Sequence, residues 1–169
     1  MIELLEVPAI RQRVARLSVE DYHRLGELPV ELLRGTIIEK MPRSPLHRKI
    51  VRRLVRVLET QIHAQWEVWK EDPLTFADSE PEPDVAVVAR DPDEYATAHP
   101  STVELVIEVA ISSLEIDRVK ADIYAEAGVK EYWIVCPEEK QAEVYRLPGA
   151  TGYAERMVVA VPAVLECAA

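Results

Sequence analysis

Residues 103–111 read V-E-L-V-I-E-V-A-I. The run is apolar enough for a strand buried on both faces of a sheet. Glu108 nevertheless sits inside it, between Ile107 and Val109. A buried carboxylate without a partner costs several kcal/mol, or it takes up a proton. Any fold that keeps this strand must therefore give Glu108 a cation, a hydrogen-bond donor or a site. Alternation puts Glu104, Val106, Glu108 and Ala110 on one face. Val103, Leu105, Ile107, Val109 and Ile111 fall on the other, wholly apolar face.

The chain has 169 residues, enough for one domain with a real core, and the expectation is a single domain over 1–169. Residues 1–17 are expected to be an extended or poorly ordered lead-in. No apolar run approaches the roughly 20 residues of a membrane span, and no basic segment precedes an apolar stretch at the N-terminus. Cys136 and Cys167 have no partner at ligand spacing. They argue for neither a disulfide framework nor a structural zinc. A cytoplasmic location and no membrane association are expected. The net charge of −10 counts against broad nonspecific affinity for nucleic acid. That charge is unevenly placed: Arg43, Arg48, Lys49, Arg52, Arg53 and Arg56 occupy residues 43–56, which contain no acid.

Along the chain, Ser18 with Asp21 three residues on resembles a capping box, predicting a short helix that ends near Gly26. Val30–Met41 predicts two short strands about a turn at Arg34-Gly35. Ser44 as N-cap and Pro45 at the first helical position open a second helix, expected to end near 64–66. Its apolar stripe is Leu46, Ile50, Leu54, Leu58 and Ile62. His47 falls in this apolar face, whereas Arg48, Arg52 and Arg56 line the opposite, solvated side. Short strands are predicted at 66–70 and 84–90, the second after the proline-rich E-P-E-P stretch of residues 80–83. Residues 115–127 predict a third helix closed by Gly128. Its expected apolar face is Ile116, Val119, Ile123 and Ala127, with Lys120 roughly 40° from Ile116, inside that face, and Asp117 on the solvated flank. Strands are predicted at 131–136, 141–147 and near 153–160. The order α-ββ-α-βββ-α-ββ(β) implies an α/β (α+β) protein with a mixed central sheet flanked by helices.

Three residues stand where a purely structural role is hard to supply. Asp84 opens a buried-looking strand after proline, Glu108 lies mid-strand, and Lys120 lies on the inner face of the next helix. Hard divalent cations such as Mg²⁺ take oxygen ligands, often one or two carboxylates plus water and a substrate phosphate. A neighbouring lysine can orient or deprotonate the attacking water, or stabilise charge on the phosphate. Such a set suits phosphodiester hydrolysis.

Pro83-Asp84, followed by Glu108 in the next long strand, resembles the PD-(D/E)XK arrangement of restriction-endonuclease-like proteins. Three stretches further resemble the bacterial Uma family of endonucleases. These are E-L-L-R-G-T-I-I-E-K-M with the following P-x-S-P-x-H, P-D-V-A-V-V, and residues 105–135, which contain Y-A-E-A-G-V-K-E-Y-W. The resemblance spans about residues 18–147. It implies a restriction-endonuclease-like fold, with Asp84 and Glu108 binding Mg²⁺ or Mn²⁺. Lys120 takes the place of the motif lysine, since position 110 holds Ala110. Glu31 would be a further acid near the metal and His47 a polar residue at the mouth of the site. Arg34, Cys136 and the segment 111–114 depart from the family pattern. The activity implied is metal-dependent endonucleolysis, with DNA as substrate. Double-strand cleavage usually requires two sites, so a homodimer is expected. The rival expectations are a non-catalytic member kept as a binding or regulatory module, and a carboxylate-pair hydrolase acting on sugars.

Overall fold

The computed structural model describes residues 16–26, 28–90, 95, 98–100 and 102–160. In chain order the elements are α1 (Val19–His23), β1 (Val30–Leu33), β2 (Thr36–Glu39), α2 (Pro45–Gln61), β3 (Trp66–Trp69), β4 (Val85–Ala89), β5 (Val103–Val109), α3 (Leu114–Glu126), β6 (Glu131–Cys136), β7 (Gln141–Gly149) and β8 (Gly152–Ala160). This is the predicted order. Most of the expected lead-in and of the 91–101 connection lies outside the described residues.

Local chemistry explains most boundaries. The Ser18 side chain accepts the Asp21 amide and starts α1. The helix then ends at His23, a turn short of the predicted end, and Gly26 completes the exit at φ 74°. Arg34 and Gly35 both adopt positive φ, 53° and 72°. That is the mirror-image turn whose twist matches a two-residue hairpin, and it demands left-handed backbone even of the arginine. Ser44 caps α2 by accepting the His47 amide, with Pro45 in the first turn. The helix stops at Gln61, where Ile62 turns extended, earlier than the apolar stripe suggests. Gly128 closes the connection after α3 at φ 79°.

Strands β3 to β8 form one six-stranded sheet in sequential order, and β1-β2 is a separate hairpin. Only β5 and β6 run parallel, because α3 is the crossover between them; all other neighbours are antiparallel. Helix α2 covers one face of the sheet, where Ile50, Val51 and Leu54 pack on Val85, Ile107, Val109, Val135 and Ala142. Helix α3 covers the other, where Ala121 and Tyr124 pack on Val106, Ala110, Tyr132 and Ile134. The fold is thus a mixed α+β sheet flanked by helices.

Two packing expectations are corrected. Val103 belongs to the α3 face rather than the all-apolar face of β5. A register shift after Val87 pairs Val88 with Val103 and leaves Glu104 as the extra residue, which inverts the alternation. Helix α3 is also rotated: Val119 is 60% exposed, whereas Asp117, Lys120, Ala121 and Tyr124 are buried. These four follow the i, i+3, i+4, i+7 spacing of one helical face. No helix among the described residues is long and apolar enough to cross a membrane.

Candidate active site

The β4-β5 register assembles the first pair of acids. Val85 opposes Ile107 in an antiparallel ladder, so Asp84 and Glu108 meet one step further on. Two reciprocal bonds lock them together. The Asp84 amide donates to Glu108 Oε2 at 3.2 Å, and the Val109 amide donates to Asp84 Oδ2 at 2.8 Å. Asp84 Oδ2 also lies 2.9 Å from His47 Nε2 on α2. A carboxylate can only accept, which assigns the hydrogen to Nε2. His47 Nδ1 is buried with no hydrogen-bond partner among the described residues.

Glu31 arrives from β1. A two-way bridge between Leu32 and Glu80 fixes the hairpin on the strap before β4, and the Glu82 amide donates to Glu31 Oε1 at 3.0 Å. Lys120 reaches in from α3. Its Nζ lies 2.9 Å from Glu108 Oε1 and 3.0 Å from Glu31 Oε2. Tyr124, one turn later on the same face, donates to Glu108 Oε1 at 3.3 Å. All five residues singled out in the sequence, Glu31, His47, Asp84, Glu108 and Lys120, therefore meet in one cleft of about 140 Å³. Each is less than a tenth exposed.

Asp117, expected on the solvated flank, is buried in the same cleft instead. Its Oδ2 accepts a 2.6 Å bond from the Ser113 hydroxyl. Ser113, placed as the helix cap, makes no capping bond to the backbone. The signal for Asp117 was its spacing: it precedes Lys120 by three residues and so shares its face. Arg43 at the cleft mouth was also missed as a site residue. It lies 3.8 Å from Asp84 Oδ1 and 3.3 Å from Glu82.

The electrostatics are unbalanced. Four buried carboxyls lie in a cleft with one buried lysine: Lys120 pairs with Glu31 and Glu108 and attracts Asp117, while Asp84 faces His47 and Arg43. Burial lifts the Glu108 carboxyl well above its ordinary range; Lys120 opposes this, while Asp84, Asp117 and Glu31 add to it. Burial likewise raises Asp117 to about 6, against the pull of Lys120 and the Ser113 bond. Burial works against the charge on Lys120, but Glu108, Glu31 and Asp117 outweigh it and hold the ammonium above its usual range. Lys120 is thus a fixed cation, and negative charge remains in excess around it. A surplus of oxygen ligands in a cleft is the donor set that hard divalent cations take. The Asp84 oxygen not used by His47 and Val109 has only the more distant Arg43 opposite it. The residues present fit such an ion.

The Uma2 family, described as "Putative restriction endonuclease", matches residues 19–168. The chain belongs to this family. A crystal structure described as "a putative nuclease belonging to DUF820" from Anabaena variabilis has the same fold, with a TM-score of 0.72. It is 22% identical and covers 88% of this chain and 91% of its own. No curated protein matches. In this chain the cleft lies at the strand end where β4, β5, α3 and the β1-β2 hairpin converge.

Proposed function

We propose that this family member is a Mg²⁺- or Mn²⁺-dependent endonuclease that hydrolyses phosphodiester bonds in DNA. The observation that carries the reading is the gathering of four buried carboxyls and one buried lysine in one open cleft. Asp84 and Glu108 would hold the ion. Bound there, it supplies Lewis acidity and a water acidic enough to attack phosphorus near neutral pH.

The chain's own residues do the rest. His47 donates to Asp84 and fixes the rotamer of that carboxylate, as hydrogen-bond partners of metal ligands do. Glu31 and Glu108 hold the Lys120 ammonium in place. Because that ammonium stays charged, its role is to donate to a phosphate oxygen and offset charge that develops there, rather than to take a proton from water. Arg43 stands at the mouth, and Arg48, Lys49, Arg52 and Arg56 continue along the exposed side of α2. This local basic strip supports a nucleic-acid track despite the acidic total charge. Cutting both strands of a duplex calls for two clefts, so the working form is a homodimer, acting in the cytoplasm.

Supercoiled plasmid cleavage with Mg²⁺ tests the reading. Glu108→Ala should lower the rate at least ~100-fold, the scale of losing a group that organises transition-state charge, with an unchanged circular dichroism spectrum. Cleavage at the parent rate by this variant would overturn the assignment. The net charge of −10 favours a second reading, the same cleft kept as a non-cutting binding module. Ion binding without cleavage of any DNA or RNA offered would select it.

A further inference from the structure

A second donor cluster lies outside this cleft. His23 Nε2 at the end of α1, a carboxylate oxygen of Glu80 in the strap before β4, and a ring nitrogen of His99 just before β5 all lie within 4.8 Å of one another. His23 Nε2 is 2.7 Å from Glu80 Oε2, and His99 Nδ1 is 3.7 Å from the same oxygen. The Thr75 hydroxyl donates to Glu80 Oε2 at 2.7 Å and lies 3.2 Å from His99 Nδ1. The two imidazoles stand edge to face, with ring centroids 6.3 Å apart.

We propose that His23, Glu80 and His99 form a Zn²⁺ site that is separate from the nuclease cleft. Three features carry the assignment. Glu80 is 5% exposed, and its ion partners among the described residues are two imidazoles rather than a lysine or arginine. Two neutral imidazoles and one carboxylate are the donor set of an open tetrahedral zinc site, with water in the fourth position. The hard-ion cleft has the complementary composition, carboxylates with a lysine, so the two sites select different metals.

The two ring nitrogens close from within 4.8 Å of each other, and both Glu80 contacts already lie near the required spacing. Zinc bonds of about 2.0–2.1 Å place tetrahedral ligands about 3.3 Å apart, and the observed 2.7 and 3.7 Å bracket that value. The His23 and His99 side chains are 50% and 40% exposed, so an ion can enter from solvent. The Thr75 hydroxyl donates to the same Glu80 oxygen and helps fix its position. Binding displaces the His23–Glu80 hydrogen bond: the ring hydrogen passes to Nδ1 by exchange with water, so the imidazole stays neutral and offers its Nε2 lone pair to the ion.

The site would clamp three distant segments. Glu80 pairs with Leu32, the neighbour of Glu31. The ion would therefore pin α1 and the segment before β5 to the strap that supports the Glu31 carboxylate.

Chelator-treated full-length protein carrying Asp84→Asn, to silence the cleft, should be titrated with ZnCl₂ by calorimetry. Co²⁺ replacing zinc reports coordination through its visible absorption bands. One equivalent of zinc should bind and raise Tm, and Co²⁺ should give a tetrahedral spectrum. His23→Ala and His99→Ala should each weaken zinc binding more than ~100-fold, beyond the 10–100-fold typical of outer-shell partners. Both positions are half exposed, so these variants should keep the parent circular dichroism without zinc. No zinc uptake by the parent, or unchanged affinity in the two histidine variants, would overturn the site.

Discussion

Two buried glutamates lie in one row of the sheet and meet opposite fates. Glu108 on β5 opposes Ile134 on β6, and Ile134 opposes Glu143 on β7. Two strand spacings, about 10 Å, separate the two glutamates. Both are nearly inaccessible, at 4% and 1% exposure. Both face α3, which supplies Lys120 to one and Arg118 to the other. Glu143 receives a 2.5 Å bond from Arg118, a 2.6 Å bond from Tyr145 and a 2.9 Å contact from Arg156. Burial would raise its carboxyl, but the Arg118 and Tyr145 bonds and the arginine charges outweigh that and hold it below its ordinary value. Glu108 must share its single lysine with Glu31 and Asp117, and burial drives it upward. A buried acid with surplus cations is a structural clamp. A buried acid with few cations keeps oxygen donors free, and that difference separates the cleft from the clamp.

The largest break in this comparison should come from Lys120→Ala. It leaves Glu31 and Glu108 buried without their cation, and loss of one partner of a buried pair costs roughly 3–5 kcal/mol. Urea denaturation at pH 7.5 should show that loss, and it should shrink as pH falls, because the raised Glu108 carboxyl sheds its buried charge by taking up a proton.

Glu143→Gln should cost less, about 1.5–3 kcal/mol, the range for hydrogen bonds to charged groups. Because the folded pKa of Glu143 is depressed, its stabilisation is present above the ordinary carboxylate range and lost as pH falls through the folded value. Mg²⁺ affinity in this variant should equal that of the parent, since Glu143 serves only the clamp.

Asp117→Asn should show the opposite pH dependence. The Asp117 carboxyl ionises near 6 in the folded chain and near 3.8 when unperturbed. Stability is therefore fully present below the lower value and declines as pH rises through about 6. Between pH 4 and 7 the variant should lose part of that decline and become more stable than the metal-free parent above pH 6. Chemical denaturation across that range measures it; a parent whose stability is flat there would contradict the raised carboxyl.

Much of this was legible because the anomalies were anomalies of polarity. A glutamate between isoleucine and valine, an aspartate after proline and a lysine on an inward helix face each break a pattern. All three lie in the cleft. The element order was readable from caps, turn glycines and periodicity. What escaped was what periodicity cannot carry. Val103 changed face through a bulge, which inverts alternation without leaving a signature residue. Asp117 was misplaced because the apolar face of α3 was drawn through Ile116 and Val119. Packing on Glu108 and Tyr132 rotates the helix toward its polar residues instead. Glu143 escaped because a glutamate in an alternating strand normally faces water, and only the arginines of α3 and β8 reveal its burial.

Under the proposed function, the acids around Lys120 hold a divalent ion. Calorimetric titration of the metal-free protein with Mg²⁺, beside Asp84→Ala and Glu143→Gln, tests it most directly. The account predicts saturable binding in the parent and in Glu143→Gln, lost in Asp84→Ala. Binding that survives in Asp84→Ala, or is absent from the parent, would contradict it.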